Sequence, residues 1–206
     1  MQPVDVALCL AMDVSASVDF DEFNLMIGAT AAALADPVLV GIITAGPRRA
    51  VAISLLLWSG VGERDLALPW TRLDGPAAAA DIAAAIDTTP RLPRPGATAL
   101  GEGMAGGLAL LGAFPGEAGR LVLDVSGDGR HNAGRAPGPV RDLAVAAGLT
   151  INALAILNEE PDLLDHYVAE VIGGPGSFAM SVGDYPDFQE AILRKLRREL
   201  SPGLIA

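Results

Sequence analysis

The sequence predicts an α/β fold, a doubly wound and mostly parallel sheet of six strands with helices on both faces. Short apolar runs without charge alternate along the chain with longer segments whose apolar residues recur at helical spacing. The first of these runs, 6–12, has no polar side, which is typical of a strand covered on both faces in a parallel sheet. The 206 residues are enough for one large core, so we predict a single domain over 1–206.

The elements predicted in the first half of the chain are separated by residues that end helices and strands. The strand 6–12 runs into a helix over 18–35, in which Phe20, Phe23 and Ile27 recur at helical spacing. The remaining elements are a short helix over 38–44 after an Asp-Pro break, an apolar strand over 51–58, an edge strand over 65–73 that Pro69 weakens, and an alanine-rich helix over 76–86.

The second half continues the alternation of helix and strand. Asp124 lies inside an apolar strand, and because a buried carboxylate needs a partner, we expect it to be paired or hydrogen-bonded. The basic residues near the end of the last helix, Arg194, Lys195, Arg197 and Arg198, are expected to complement the helix dipole, with a docking patch as the alternative. The predicted elements are helices over 99–113, 140–147 and 163–172, strands over 120–126, 150–157 and 177–181, and a final helix with apolar residues at 188, 192, 196 and 200.

Composition excludes several classes of protein. With 14 basic and 25 acidic residues the formal charge is −11, so we expect neither nucleic acid nor an anionic membrane surface as a partner. Cys9 is the only cysteine, which excludes a disulfide scaffold and a cysteine-rich zinc site, and we expect a buried, inert thiol. No apolar run has the length of a membrane span. The compartment stays open, periplasmic or secreted if a signal peptide has been removed and cytoplasmic otherwise.

Side chains that carry oxygen follow three of the predicted elements. Asp13, Ser15 and Ser17 come directly after the first strand, Thr98 ends a proline-stiffened loop, and Asp128 follows the fourth strand between two glycines. The carboxyl ends of strands in such a sheet share one edge, where ligand sites are found. Helix capping by the hydroxyls is the alternative for Ser17 and Thr98, and a bond to the loop backbone is the alternative for Asp13. All five are hard oxygen donors, so the set favours Mg²⁺, Mn²⁺ or Ca²⁺.

The five residues also resemble a known motif. Asp13-x-Ser15-x-Ser17, Thr98 before a helix and Asp128 before Gly129 resemble, in kind, order and spacing, the metal-ion-dependent adhesion site (MIDAS) of von Willebrand factor type A domains. The resemblance implies a metal at the carboxyl edge of a doubly wound sheet, with some of these residues acting through water. The segments 58–60, 69–71 and 126–129 resemble a bacterial subgroup of unknown function. One departure is that Ser126-Gly127 precede the aspartate, where the family has a hydrophobic residue and Thr or Ser.

The chemistry of this donor set favours binding over catalysis. Three hydroxyls and two carboxylates leave a coordination position for a carboxylate from outside. We therefore predict a protein-binding module, not an enzyme, whose bound cation accepts an Asp or Glu side chain of a partner protein. The alternative is a metal-dependent hydrolase or phosphatase with Asp13 in the site and His131 as general base. Phosphatases that use an aspartate nucleophile carry a second aspartate two residues later, where this chain has Ser15.

Overall fold

The computed structural model describes residues 1–201, in which six strands form one sheet. The strands are β1 (Val4–Asp13), β2 (Val51–Trp58), β3 (Arg64–Leu73), β4 (Ala118–Gly127), β5 (Thr150–Ile156) and β6 (Ala179–Val182). Their order across the sheet is β3-β2-β1-β4-β5-β6, and only the pair of β2 and β3 is antiparallel. The predicted fold class is confirmed. The single domain over 1–206 stays a prediction, and its residues 202–206 lie outside the described part.

In the described part of the chain, seven α-helices cover the two faces of the sheet. They are α1 (Phe20–Leu34), α2 (Pro37–Thr44), α3 (Pro76–Asp87), α4 (Leu100–Gly112), α5 (Pro137–Ala146), α6 (Leu163–Glu170) and α7 (Phe188–Leu200), with a short 3₁₀ helix at Tyr185–Asp187. Within residues 1–201, no single helix has the length and apolar composition needed to cross a membrane. The pair α1 and α2 meets those criteria only when taken together across a bend of 52°.

The sheet has one apolar cluster on each face. Successive side chains of β1 alternate between the faces, as the pleat requires. Val6, Leu8 and Leu10 belong to the cluster beneath α1, α2, α3 and α7, whereas Ala7 and Cys9 belong to the cluster beneath α4, α5 and α6. Burial raises the pKa of the Cys9 thiol to about 12, so this side chain stays protonated and inert, as expected.

Helix α4 lies very close to the sheet because glycines face it. A side chain at Gly103 would overlap the ring of Trp58, and one at Gly107 would overlap Leu123. Glycine at these two positions therefore permits the close packing of α4 on the sheet. Helix α4 follows directly on the loop that carries Thr98, so the position of α4 on the sheet bears on the position of this candidate ligand.

The largest difference between predicted and observed boundaries is at the start of α5, which begins at Pro137 and not at Val140. Proline suits the first helical position because its missing N–H would be unpaired there in any case. The start of α1 also differs from the prediction. Asp19 caps this helix, accepting a hydrogen bond from the Glu22 amide at 2.8 Å, while the Asp19 amide donates to the Glu22 carboxylate at 2.7 Å.

The prediction for the basic residues of α7 is wrong for Lys195. This side chain is completely buried, with its Nζ 2.5 Å from Asp124 Oδ1 and 2.6 Å from Glu199 Oε1. A buried carboxylate requires a counter-ion, and Lys195 meets that need where a solvent-exposed lysine at the helix end could not. The expected pairing of Asp124 is thereby confirmed. Arg197 pairs instead with Asp36, at 2.9 Å.

Candidate metal centre

The candidate site lies where the direction of strand succession in the sheet reverses. From β1 the chain proceeds outward to β2 and β3, and it later returns to place β4 on the other side of β1. Ligand sites of open α/β sheets form at such a switch point, beside the carboxyl ends of the strands. Asp13 is the last residue of β1, and Asp128 directly follows β4. The two carboxylates therefore lie on adjacent strand ends.

The structure brings all five predicted residues together through hydrogen bonds. The Ser15 amide donates to Asp13 Oδ1 at 2.7 Å, and Thr98 Oγ1 donates to Ser15 Oγ at 3.3 Å. Ser15 Oγ and Ser17 Oγ are 3.2 Å apart, and Ser17 Oγ donates to Asp128 Oδ1 at 2.7 Å. The second oxygen of Asp13, Oδ2, is buried and has no hydrogen-bond partner among residues 1–201. The assignment of these five residues as metal ligands stays a prediction.

The capping alternatives do not describe Ser17 or Thr98. The N-cap of α1 is Asp19, two residues after Ser17, and the N-cap of α4 is Ala99, which makes no side-chain cap. Both hydroxyls are hydrogen-bonded within the site instead. The alternative for Asp13 is correct in part, because one of its oxygens accepts from the Ser15 amide. That bond leaves the other oxygen free.

Both carboxylates are buried, and burial disfavours their charged forms. Burial raises the pKa of Asp13 to about 7, and the nearby charge of Asp128 acts in the same direction. Burial also raises the pKa of Asp128, against the hydrogen bonds from Ser17 and Tyr185, which lower it. Tyr185 donates its hydroxyl to Asp128 Oδ2 at 3.0 Å. A bound cation would stabilise the charged forms of these two buried carboxylates, so the site is suited to a cation.

An arginine that sequence reasoning missed holds the loop between β1 and α1. The Nη2 of Arg91 donates to the main-chain carbonyls of Val14, Ser15 and Val18 at 2.9, 2.8 and 2.7 Å. The Ala16 amide also donates to the carbonyl of Gly96 in the same proline-rich loop, at 2.9 Å. The sequence marked this loop as stiff. A single arginine, however, forms no sequence motif from which its long-range contacts could be predicted.

The departure from the family motif at Gly127 has a steric cause. A Cβ at this position would lie 2.8 Å from the Tyr167 hydroxyl and 3.0 Å from Asp13 Oδ2, closer than side chains approach. The backbone φ of Gly127 is not in the left-handed region, so close approach explains this glycine rather than conformational freedom. Asp128 nevertheless reaches the site, as its bond with Ser17 shows.

The residues present fit a hard divalent cation. Their donors are all oxygen atoms, and the unpartnered Oδ2 of Asp13 is a buried acceptor that a positive ion would satisfy. Among residues 1–201, no group of three or more His, Cys, Asp or Glu side chains could hold a metal ion, so hydroxyls are needed to complete this site. His131, the base in the hydrolase alternative, makes no hydrogen bond with any of the five residues, and its Nδ1 is buried without a partner in the described part of the chain.

The sheet order, with helices on both faces, defines a von Willebrand factor type A-like fold. The chain belongs to the family described as "Protein of unknown function (DUF1194)", whose model matches residues 3–203. A comparison with curated proteins finds no match.

Solved structures with this fold include a thread matrix protein and a pilus adhesin. Proximal thread matrix protein 1 (PTMP1) from the mussel byssus superposes with a TM-score of 0.67 at 16% identity, over 96% of this chain and 48% of the mussel chain. The von Willebrand factor type A protein from Catenulispora acidiphila gives 0.65 at 16%, over 96% and 43%. The pilus adhesin SpaC from Lactobacillus rhamnosus GG gives 0.68 at 14%, over 97% and 31%. This chain spans less than half of each, and at these identities the likeness shows the fold alone.

Proposed function

We propose that this chain is a divalent-metal-dependent protein-binding module. Asp13, Ser15, Ser17, Thr98 and Asp128 hold the cation, and a partner protein contributes one Asp or Glu carboxylate to it. The single observation that carries the proposal is the unpartnered, buried Oδ2 of Asp13 beside the second buried carboxylate of Asp128. The bound cation supplies positive charge to these two groups and an open coordination position to the partner.

The donor set favours Mg²⁺, with Mn²⁺ or Ca²⁺ as alternatives. Hydroxyl and carboxylate oxygens are the ligands of hard cations, whereas zinc prefers nitrogen and sulfur. A further structure of the mussel protein PTMP1 is described as having a zinc-occupied MIDAS motif, which supports a divalent cation in this fold but does not name the ion for this chain. The choice among ions is therefore part of the test.

The surface around the site suits a protein partner. Three apolar side chains at this edge, Phe20 at the start of α1 and Val61 and Leu92 on loops, are 65, 61 and 62% exposed. Apolar side chains at the rim of a metal site offer contact area to a partner whose carboxylate enters the centre. The adhesin, matrix and pilin functions named for the structural neighbours support the same type of interaction.

Three arginines at this edge are already paired with carboxylates and Arg91 bonds main-chain carbonyls, which leaves a partner carboxylate few alternatives to the cation. The pairs are Arg94 with Glu63 at 2.7 Å, Arg130 with Glu160 at 2.8 Å and Arg135 with Glu102 at 2.9 Å. A strongly acidic partner would be repelled by the formal charge of −11. The partner therefore presents one well-placed carboxylate on a neutral or basic surface.

The hydrolase alternative has no observation in its favour. His131 is not hydrogen-bonded to the site, and the position of a second catalytic aspartate is Ser15, whose hydroxyl is hydrogen-bonded to other candidate ligands. Turnover of a phosphate or ester substrate that depends on Mg²⁺ or Mn²⁺ and is lost in His131→Ala would reverse this ranking. The compartment, periplasmic or secreted after removal of a signal peptide and cytoplasmic otherwise, is tested by sequencing the amino terminus of the protein isolated from its cells.

The metal site is tested by calorimetric titration with Mg²⁺, Mn²⁺ and Ca²⁺. We expect saturable binding that Asp13→Ala abolishes and that Asp21→Ala, a change of an exposed acid near the same edge, leaves intact. Thr98→Ala should weaken binding more than it lowers stability, because one neutral ligand is lost while α4 keeps its Ala99 N-cap. Equal binding by wild type and Asp13→Ala would refute the site.

The partner is tested by affinity capture in Mg²⁺ compared with excess chelator. A carboxylate bound directly to the ion is hard to screen, so the complex should survive moderate NaCl and dissociate in chelator. Exchange of each exposed Asp and Glu of the captured partner for Asn and Gln should identify one residue that controls binding. A complex that persists in chelator, or that no single carboxylate controls, would show that the contact lies elsewhere.

A further inference from the structure

A separate cavity lies at the opposite edge of the sheet, at the amino ends of β4 and β5. Its volume is about 430 Å³, which is in the range of small-molecule sites. The first residues of the two strands, the segment before β6 and the last turn of α7 enclose it. The side chains that matter here are those of Arg120, Asn152, Phe178, Arg198 and Glu199.

Two guanidinium groups of this cavity have no carboxylate partner. Within residues 1–201, neither Arg120 nor Arg198 has a carboxylate oxygen within 4.0 Å, although most basic side chains of the chain are paired. Arg120 is half-buried and donates one bond, to the main-chain carbonyl of Glu199 at 2.5 Å. The Cζ of Arg198 lies 3.8 Å from the ring centroid of Phe178, which holds this guanidinium against the cavity wall.

Glu199 also belongs to the residues that line the cavity, and its carboxyl group is completely buried. Its Oε1 accepts from Lys195 Nζ at 2.6 Å and from Asn152 Nδ2 at 2.8 Å, whereas Oε2 is buried with no partner in the described residues. Burial and the charge of Asp124 raise the pKa of Glu199, against the charge of Lys195 and the hydrogen bonds from Lys195 and Asn152, which lower it. Because this side chain has no exposed surface, the contacts with a ligand are left to the two guanidinium groups.

We propose that this cavity binds a small organic anion through the guanidinium groups of Arg120 and Arg198. The two guanidinium groups are positively charged donors, which suits a carboxylate or phosphate. Arginine matches the planar, bidentate geometry of both anions. The ring of Phe178 and the neighbouring Leu121 and Pro175 offer an apolar wall to the rest of the ligand. A nucleic acid is disfavoured because the whole chain is strongly acidic.

The test is a calorimetric titration of the full chain with inorganic phosphate and with benzoate, after treatment with a resin-bound chelator that is then removed. The chelator removes any cation that would bind phosphate at the carboxyl edge, so the two sites are separated. We expect saturable binding of at least one probe, weakened about tenfold or more in Arg120→Gln and in Arg198→Gln. The matched control is Arg194→Gln, an exposed arginine one turn earlier on α7, which should change affinity by less than about twofold.

Two further comparisons keep the result interpretable. Arg198 is exposed, so Arg198→Gln should fold even if Arg120→Gln does not. Phe178→Leu should weaken benzoate more than phosphate, because only the aromatic probe uses the apolar wall. The absence of saturable binding for both probes, or an equal loss in Arg194→Gln and Arg198→Gln, would overturn the proposal.

Discussion

Replacement of Asp13 by asparagine should stabilise the protein in the absence of metal and abolish its response to metal. Asp13 is completely buried, and one of its oxygens has no partner in the described part of the chain. In Asp13→Asn the amide keeps the shape of the carboxylate, and its oxygen can still accept from the Ser15 amide, but the negative charge beside Asp128 is gone. A substitution that improves stability while it destroys binding separates a ligand from a structural residue.

The magnitude follows from the pKa of Asp13, which burial and the charge of Asp128 raise from 3.8 to about 7. A shift of roughly three units corresponds to at most about 4 kcal/mol of unfolding free energy. An acid whose pKa is raised by folding holds its proton more tightly in the folded state. The free energy of unfolding therefore falls as the pH rises from about 4 to about 7, and this loss is complete above that window.

We expect Asp13→Asn to recover about 2–3 kcal/mol at about pH 8, because the buried amide keeps a desolvation penalty of its own. For a domain of this size that is a rise in Tm of roughly 4–12 °C. At about pH 4 the two proteins should melt at nearly the same temperature, because Asp13 is then protonated in the folded state and about half protonated in the unfolded state. Thermal melts in chelator and in excess MgCl₂ measure both effects, with Asp21→Asn as the control.

Two outcomes would refute this reasoning. If Asp13→Asn were less stable than wild type at about pH 8, the carboxylate would be contributing a favourable interaction that the structure does not show. If the variant still gained stability in MgCl₂, the ion would be bound elsewhere, since a ligand stabilises only the state that binds it.

Three other predictions follow from contacts of residues near the buried carboxylates. Arg91→Met should lower Mg²⁺ affinity about tenfold while Tm falls only a few degrees, since three main-chain carbonyls lose their donor. Calorimetric titration and thermal melts measure the two effects, and an unchanged Mg²⁺ affinity would contradict the prediction. Gly127→Ala should cost about 1–3 kcal/mol and weaken Mg²⁺ binding, whereas Gly112→Ala, with nothing near its Cβ, should do neither in the same assays. Lys195→Met should cost about 3–5 kcal/mol in chemical denaturation, because Asp124 loses its counter-ion, while any folded fraction keeps its Mg²⁺ response.

The fold could be predicted from sequence because its strongest signals are local. Strands such as β2 are continuous apolar runs, and its predicted bounds, Val51 and Trp58, are those observed. The edge strand β3 was placed correctly despite Pro69, where the pairing with β2 shifts register. Boundaries that depend on a cap are harder to predict, because Ser17 and Asp19 are both suitable N-cap residues and only the hydrogen bonds distinguish them.

The proximity of the five candidate residues could be predicted from sequence, because they lie at strand ends and before helices, where the topology of the sheet brings distant segments together. Arg91 and Tyr185 could not be predicted in this way, because their bonds to the site depend on side-chain direction across loops. Lys195 could have been inferred. It lies between Ile192 and Leu196 near the apolar face of α7, at four-residue spacing from Glu199, a position where a charged side chain must find a buried partner.

Residues 1–201 contain two pairs of buried carboxylates, and the two pairs differ in their counter-charge. Asp124 and Glu199 share the buried ammonium group of Lys195. No basic side chain within residues 1–201 forms an ion pair with Asp13 or Asp128, since Arg91 bonds main-chain carbonyls. Buried ionised carboxylates are destabilising by several kcal/mol each unless they are paired. The sequence supplies a buried cation for one pair and none for the other, and this difference supports the proposal that a divalent ion provides the positive charge at Asp13 and Asp128.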